Sequence, residues 1–197
     1  MNIEERKLLR KQKISARDSL SRSEREAFSM QIAERILASK EFQEAKTIMI
    51  YRATKGEVCL DTLERAALAA DKCLVYPLCM NDSDMIALHP KDETAWQIGY
   101  HGILEPVRVH SIEIAPEEID MVICPCTVFD EQGGRMGMGK GFYDRFLERC
   151  SRACIAAVAF EVQKMEHVPR APWDKEMDII FTERQTYTKS GCATVSC

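Results

Sequence analysis

Glycine and proline are scarce in the first half of the chain, and long apolar runs are lacking throughout its 197 residues. Gly56 is the only glycine before Gly99, and Pro77 is the first proline, which predicts regular secondary structure over the first third. No stretch approaches the ~18 apolar residues that a membrane helix needs. The charged start MNIEERKLLRKQK is followed by no apolar signal-peptide core. We therefore expect a cytoplasmic protein without a membrane partner.

An excess of basic charge is also lacking. The chain has 27 Lys and Arg against 31 Asp and Glu, a net charge of −4, which predicts no nucleic-acid partner and only a local site for any anion. Its nine cysteines are odd in number, and we expect reduced thiols. The CPC at 124–126 lacks the spacing of a redox CxxC, and its apolar surroundings indicate a buried strand. No His and Cys spacing is typical of zinc ligands.

Helical patterns open the chain. Residues 3–18 predict a basic helix, and Ser21 with Glu24 forms a capping box before a second helix with an apolar face. An Ala- and Leu-rich segment near residues 60–71 predicts a further helix.

Short apolar runs of strand type occupy residues 47–51, 73–76, 85–88, 121–124, 155–159 and 178–181. Continuous apolar runs are typical of strands buried on both faces, and these runs alternate with helical segments. The pattern predicts an α/β fold in which a mostly parallel, Rossmann-like three-layer sheet is flanked by helices and preceded by an N-terminal helical pair. We expect one domain over residues 1–188, a flexible tail over 189–197, and ligands at the carboxyl ends of the strands.

Five of the nine glycines fall within residues 133–141, GGRMGMGKG, after the run at 121–124 and before the helical pattern that begins at Phe142. Glycines allow backbone N–H groups to converge on a phosphate, a helix N-terminus adds its dipole, and Arg135 and Lys140 add charge. The cluster predicts a polyphosphate site, and the alternative is a mobile surface loop.

Two standard phosphate motifs fit this cluster only in part. Gly134 to Lys140 has the spacing of a Walker A loop, but Gly141 stands where Ser or Thr would hold magnesium, so Asp144 becomes the candidate metal ligand. A GxGxxG dinucleotide motif fails because its last position is Phe142.

Residues 134–147, GRMGMGKGFYDRFL, resemble the signature of the 5-formyltetrahydrofolate cyclo-ligases, also called methenyltetrahydrofolate synthetases. The resemblance extends over about residues 6–182. It implies an ATP- and Mg²⁺-dependent cyclisation of 5-formyltetrahydrofolate to 5,10-methenyltetrahydrofolate, with release of ADP and phosphate. In that chemistry the formyl oxygen attacks the γ-phosphoryl group, and N10 displaces phosphate as the ring closes.

The resemblance also implies the residues that bind ATP, with Lys140 and Arg135 as catalytic cations. The implied ATP-binding set is Arg6, Lys7, Arg10, Gly134, Arg135, Met136, Gly137, Met138, Gly139, Lys140, Gly141, Phe142 and Tyr143. Arg6 replaces the usual first lysine of the family's basic cluster, so either Arg6 or Lys7 makes the phosphate contact. Arg6 and Arg10 are one helical turn apart and share a face. Without the resemblance, this cluster would be interpreted as a solvated helix end.

The remaining implied roles concern folate and the metal. Glu57 matches a substrate-contacting glutamate, whose carboxylate can accept two N–H groups of a pterin side by side. Arg52 lies at an adjoining substrate position, and Trp96 lies in the stretch that encloses folate, although an ordinary half-buried tryptophan is an equal alternative. Asp144 and Asp178 match metal-linked carboxylates, and the alternative for Asp178 is a strand-end aspartate bonded to backbone.

Two other functions are compatible with the pattern. One is a nucleotide- or phosphosugar-binding regulatory module on a similar α/β sheet. The other is a Walker-type nucleotidase or kinase, which Gly141 disfavours because that motif has Ser or Thr there.

The expected partners are ATP and 5-formyltetrahydrofolate, and the expected assembly is a monomer or weak homodimer.

Overall fold

A computed structural model describes residues 3–54, 56–81, 83–99 and 102–189. Within these residues the α-helices are α1 (Ile3–Asp18), α2 (Arg22–Ala38), α3 (Lys40–Glu44), α4 (Asp61–Ala69) and α5 (Phe142–Leu147). The predicted basic helix and capping box are confirmed: Ser21 Oγ accepts from the backbone N–H of Glu24, and the Glu24 carboxylate accepts from the Ser21 N–H at 2.7 Å. The short helix α3 was not predicted.

The strands of the described residues number twelve. They are β1 (Thr47–Met49), β2 (Cys73–Cys79), β3 (Met85–Pro90), β4 (Trp96–Ile98), β5 (Leu104–Pro106), β6 (Ser111–Ile114), β7 (Met121–Pro125), β8 (Val128–Phe129), β9 (Arg135–Met136), β10 (Cys154–Val158), β11 (Ile179–Phe181) and β12 (Thr186–Thr188). All six predicted runs contain a strand, with ends that shift by up to three residues. The short strands β4, β5, β6, β8, β9 and β12 were not predicted, because few of them carry an apolar run.

Eight strands form one sheet in the order β12-β11-β10-β7-β1-β2-β3-β6. The five central strands from β11 to β2 pair in parallel, whereas β12, β3 and β6 pair antiparallel at the two sides. The mostly parallel α/β sheet predicted from the sequence is therefore confirmed, with antiparallel additions at both edges.

Each face of the sheet buries its own apolar cluster. Ile48 and Leu74 face a cluster that includes Ile32 of α2 and Leu63 of α4. The alternate residues of the same strands, such as Met49 and Val75, face a second cluster that includes Phe146 of α5. Because both faces are covered, the central strands are apolar at every position except Thr47, and three layers result.

A hairpin of β8 and β9, which contains Gly133 and Gly134, separates β7 from residues 137–141, the glycine segment. This corrects the predicted order of strand, glycine loop and helix. The fully buried Asp130 organises its turn: Oδ1 accepts from the N–H groups of Gln132 and Gly134, at 3.0 and 2.7 Å, and Oδ2 accepts from that of Val168 at 2.7 Å. Gly133 has a φ of +86°, and a Cβ there would meet the Met177 carbonyl oxygen at 2.5 Å. These two glycines therefore serve the turn.

The end of the predicted domain is held by the sheet. The Lys189 N–H, in the first residue of the predicted tail, donates to the Asp178 carbonyl at 3.1 Å, and its ammonium pairs with Glu176. Residues 190–197 of that tail lie outside the described residues.

Candidate active site

A cavity of about 830 Å³ opens at the carboxyl ends of the central strands. Tyr51 follows β1, Cys79 ends β2, and Cys126 and Thr127 follow β7, and all four line it. This is the edge where ligands were expected, because loops diverge there from the ends of parallel strands. The lining contains two sets of residues that differ in chemistry. We call Arg6, Arg10 and residues 137–141 the basic wall. We call Tyr51, Arg52, Glu57, Tyr76 and residues 103–106 the sheet wall.

Two arginines clamp the glycine segment of the basic wall through its carbonyl groups. Arg10 Nε donates to the Gly137 carbonyl at 2.8 Å, and Arg145 Nη2 donates to the Lys140 carbonyl at 3.0 Å. Gly139 has a φ of +98°, and a Cβ there would lie 3.1 Å from the Arg10 guanidinium. The segment is therefore a shaped backbone surface, and Met136, Gly137, Met138, Gly139, Lys140, Gly141, Phe142 and Tyr143 all line the cavity.

Gly134 does not join them. Its N–H is committed to Asp130, and a Cβ there would lie 2.4 Å from the same carboxylate, so this glycine is required by the hairpin. The structure therefore does not bring Gly134, a member of the predicted ATP-binding set, to the cavity.

The N-terminal helix presents two of its three predicted cations to the cavity. Arg6 and Arg10 line it, whereas Lys7 is exposed on another face of α1 and does not. Arg6 Nη2 donates to Asp174 Oδ2 at 2.9 Å. Burial and the adjacent Arg6 charge lower the pKa of Arg10, against the opposing effect of Asp174. Two neighbouring guanidinium groups thus share one carboxylate, which leaves a net positive charge at this wall.

Arg135 lies deeper than the sequence indicated. Its side chain is only 3% exposed, and its Nη2 donates to Asp144 Oδ1 at 2.9 Å. The ring of Tyr143 lies 5.7 Å from its guanidinium carbon. Burial raises the pKa of Tyr143 well above its usual range, so this phenol stays protonated. Arg135 therefore reaches the cavity already paired with a carboxylate.

The two predicted metal-linked carboxylates lie at different places. Asp144 lines the cavity, and its Oδ1 accepts from Arg135 and from the Lys175 N–H. Asp178 directly precedes β11, at the amino end of a parallel strand, and its Oδ2 accepts from the Ile155 N–H at 2.8 Å. It does not line the cavity. The structure thus does not bring Asp178 to Asp144, and its contacts are those of a strand-end aspartate.

Arg52 of the sheet wall is held on several sides. Its Nη1 and Nη2 donate to the two oxygens of Glu64, at 2.5 and 2.7 Å, and its guanidinium carbon lies 4.9 Å from the Tyr76 ring centre and 4.5 Å from that of Trp96. The Tyr76 hydroxyl donates to the same glutamate at 2.6 Å. Trp96 does not line the cavity, and its ring contacts Arg52 instead. Residues 103–106 line the cavity instead.

Glu57 lies next to this cluster on the loop after β1. Its Oε2 accepts from the Thr54 N–H at 2.8 Å, and the Glu57 N–H donates to the Thr54 carbonyl at 3.0 Å. This short turn holds the half-buried carboxylate at the cavity lining.

The thiols near the cavity are not activated. Burial raises the pKa of Cys126 to about 12, and its Sγ donates to the Val128 carbonyl. Within the described residues no group of three His, Cys, Asp or Glu side chains is arranged to hold a metal. Any metal here would need ligands from the substrate as well as from the protein.

Sequence reasoning missed two cavity residues on the loop before β11. Asp174 pairs with Arg6, and Trp173 lines the cavity with 70% of its surface exposed. The contact between Asp174 and Arg6 of α1 connects residues 168 positions apart, so no local sequence pattern could predict it. None of the described helices has the length and apolar character that a membrane-spanning helix requires.

The sequence of this chain is similar to those of known folate enzymes. The model of the 5-formyltetrahydrofolate cyclo-ligase family matches residues 2–183. The 5-formyltetrahydrofolate cyclo-ligase of Haemophilus influenzae is 26% identical over 179 residues, which cover 88% of this chain and 95% of the relative. The Mus musculus enzyme of that name is 27% identical, over 84% of this chain and 87% of its own length.

Two solved structures are similar over nearly the whole fold. The NMR structure of Aquifex aeolicus 5,10-methenyltetrahydrofolate synthetase has a TM-score of 0.84 and 30% identity, and the alignment covers 98% of this chain and 96% of the other. The synthetase from Mycoplasma pneumoniae has a TM-score of 0.75 and 25% identity, over 90% of this chain and 98% of the other. The sheet and the N-terminal helices are therefore shared with solved relatives.

Proposed function

The chain belongs to the 5-formyltetrahydrofolate cyclo-ligase family, and from this premise we propose that its cavity binds ATP at the basic wall and 5-formyltetrahydrofolate at the sheet wall. The observation that carries the proposal is that one cavity is lined both by a glycine-shaped backbone surface with two arginines and by a carboxylate with aromatic side chains. The reaction is the ATP-dependent cyclisation to 5,10-methenyltetrahydrofolate, with release of ADP and phosphate.

The reaction needs positioning and charge neutralisation more than a nucleophilic side chain. The formyl oxygen forms a bond to the γ-phosphorus as the bond to the β-phosphate oxygen breaks, which releases ADP. N10 then attacks the formyl carbon and loses its proton, and the phosphate leaves with the former formyl oxygen. The protein must hold the oxygen and phosphorus in line and exclude water. The high pKa of Cys126 supports a mechanism without a thiolate.

At the basic wall we assign the phosphate contacts to Arg6, Arg10, Lys140 and the backbone of residues 137–141. Arg6 keeps a buried Nε without a hydrogen-bond acceptor among the described residues, as do Arg135 and, at the sheet wall, Arg52. A buried donor without an acceptor costs free energy, which an anionic oxygen can recover. Of the two candidates in the first helix, the contacts favour Arg6 over Lys7, because only Arg6 lines the cavity.

We assign the Mg²⁺ contact to Asp144. Mg²⁺ is held in such sites by one or two carboxylates together with phosphate oxygens and waters, and Asp144 is a carboxylate at the cavity lining close to the glycine segment. Both of its described hydrogen bonds fall on Oδ1. When bound, the ion would neutralise charge on the phosphates. Arg135 orients the carboxylate through its 2.9 Å ion pair.

At the sheet wall we assign pterin recognition to Glu57. Its carboxylate is held by the turn to Thr54 and can accept N–H groups of the ring. Arg52 has both terminal nitrogens committed to Glu64, so its role in this proposal is to fix the wall and the Tyr76 ring.

Purified protein mixed with ATP, Mg²⁺ and 5-formyltetrahydrofolate should produce the near-ultraviolet absorbance of methenyltetrahydrofolate, with one ADP formed per product. Omission of ATP, or chelation of Mg²⁺, should abolish the signal. ATP hydrolysis that continues at the same rate without folate would instead support a nucleotidase, and nucleotide binding without turnover would support a regulatory module.

A further inference from the structure

Trp173 is a large aromatic side chain that the fold leaves uncovered. It lines the cavity with 70% of its surface exposed, and among the described residues no aromatic ring or cation stacks on it. Exposed aromatic surface of this size at a concave site is typical of a group that a ligand covers.

The backbone that carries this indole is fixed. Asp174 Oδ2 accepts from the Ala171 N–H at 2.7 Å, and the Asp174 N–H donates to the Ala171 carbonyl at 3.0 Å, which closes a tight turn. The same Oδ2 accepts from Arg6 at 2.9 Å. The turn therefore holds Trp173 in a set position relative to the phosphate-binding cations of α1.

Two further exposed apolar side chains line the same cavity on the elements of the basic wall. Ile3, 82% exposed, lies one helical turn before Arg6, and Met138, 69% exposed, lies between two glycines of the clamped segment. Glu57 and Arg52 of the sheet wall lie on a different loop. Apolar surface is thus combined with cations at the basic wall, which is the pairing that a nucleotide requires: a flat base and an anionic phosphate chain.

We propose that Trp173 stacks on the adenine of ATP, with Ile3 and Met138 covering the edges of the base. This inference rests on the proposed function and adds the nucleobase subsite to it. The Asp174–Arg6 ion pair connects the stacking residue to the phosphate site, so base and phosphates are recognised by one connected unit.

Isothermal titration of a β,γ-imido analogue of ATP, inorganic tripolyphosphate and 5-formyltetrahydrofolate, each with Mg²⁺, tests the assignment. Trp173→Ala should lower the affinity for the ATP analogue about tenfold or more, since base–aromatic stacking contributes that much to binding. Tripolyphosphate and folate should bind as they do to the parent protein. Trp173→Phe should recover most of the loss, and Val109→Ala, at a residue 81% exposed outside the cavity lining, should change nothing.

Three results would overturn the inference: unchanged affinity for the analogue, a loss confined to folate, or an equal loss for tripolyphosphate. The second would assign Trp173 to a folate ring, and the third would assign it to the fold of the 171–174 turn. If the parent protein binds both substrates and turns over while Trp173→Ala keeps full nucleotide affinity, this inference fails alone. If the parent protein does neither, the proposed function fails with it.

Fluorescence supplies an independent readout, because the chain has two tryptophans. In a Trp96→Phe background, emission comes from Trp173 only. The ATP analogue should change this emission, whereas tripolyphosphate should leave it unaltered. An equal response to both probes would contradict stacking on the base.

Discussion

The two walls of the cavity handle their arginines in opposite ways. At the basic wall, Arg10 donates to a backbone carbonyl, and Arg6 and Arg10 have one carboxylate, Asp174, close to both. At the sheet wall, Arg52 donates to both oxygens of Glu64, which also accepts from the Tyr76 hydroxyl, and it lies against two aromatic rings.

The difference distinguishes arginines whose charge is available to a ligand from an arginine whose charge is used within the protein. A guanidinium bound bidentately to a carboxylate has its charge neutralised and its terminal donors used. A guanidinium on a carbonyl oxygen keeps its full charge. In our proposal the net positive charge of the basic wall serves the ATP phosphates, whereas the sheet wall is a rigid surface on which Glu57 contacts the pterin.

The largest effect is expected for Lys140→Ala, which removes the lysine of the basic wall. We expect kcat/KM to fall by about 30- to 1000-fold, since one phosphate-directed charge is worth ~2–4 kcal/mol in the transition state. Initial rates from methenyltetrahydrofolate absorbance give the loss, and thermal unfolding checks that the variant folds. Lys7→Ala is the matched control, because Lys7 is an exposed lysine outside the cavity lining. Near-normal rates for Lys140→Ala would remove the lysine from the phosphate site.

Asp144→Asn should come next, because the amide keeps the size of the side chain but loses the charge that attracts Mg²⁺. We expect the half-saturating Mg²⁺ concentration to rise about tenfold or more, with a lower maximal rate. A Mg²⁺ titration of activity at saturating ATP measures both quantities. If the curve overlays that of the parent protein, another group holds the ion.

Glu57→Gln tests the sheet wall. An amide offers one acceptor and one NH₂ group, so one pterin hydrogen bond becomes a clash of two donors. We expect the KM for 5-formyltetrahydrofolate to rise about tenfold, or ~1.4 kcal/mol, while the KM for ATP stays the same. Equal losses for both substrates would mean that Glu57 serves the fold of its loop.

Arg10→Ala should show the reverse pattern, with a smaller change. Loss of the guanidinium removes one phosphate-directed charge and one clamp on the Gly137 carbonyl. We expect the KM for ATP to rise about fivefold, or ~1 kcal/mol, and the KM for folate to stay the same. A joint rise of both Michaelis constants would break the division between the walls.

The smallest effect is expected for Asp178→Asn. Asp178, at the amino end of β11, accepts a hydrogen bond from the Ile155 N–H of β10. The amide oxygen of the asparagine can accept the same bond in place of the carboxylate. We expect the free energy of unfolding to fall by less than ~1 kcal/mol, with an unchanged Mg²⁺ requirement. Urea unfolding and the Mg²⁺ titration check the two parts, and a raised Mg²⁺ requirement would return Asp178 to the metal site.

Local patterns were sufficient for much of the fold. The capping box at Ser21 and the six apolar runs predict α2 and the main strands, because capping and double-sided burial leave their mark within a few residues. The β8–β9 hairpin was missed because Asp130 is bonded to Val168, 38 residues away. No window of sequence around the glycines contains that partner.

The ion pairs around the cavity could not be predicted from local sequence patterns either. Lys7 and Arg6 are adjacent in sequence, and only the docking of α1 decides which of them meets Asp174. The composition around Arg52 gives no sign that Glu64 takes both its terminal nitrogens.

The sequence by itself determined the α/β class, the family and the glycine cluster at 133–141, since each depends on residues close together in the chain. Only the tertiary structure decided which charges face the cavity and which are already paired. In the structure, Asp178 lies at the amino end of β11, and Trp173 lines the cavity. The physical reason is that strand direction, helix rotation and ion pairing depend on partners brought together by packing of the whole sheet.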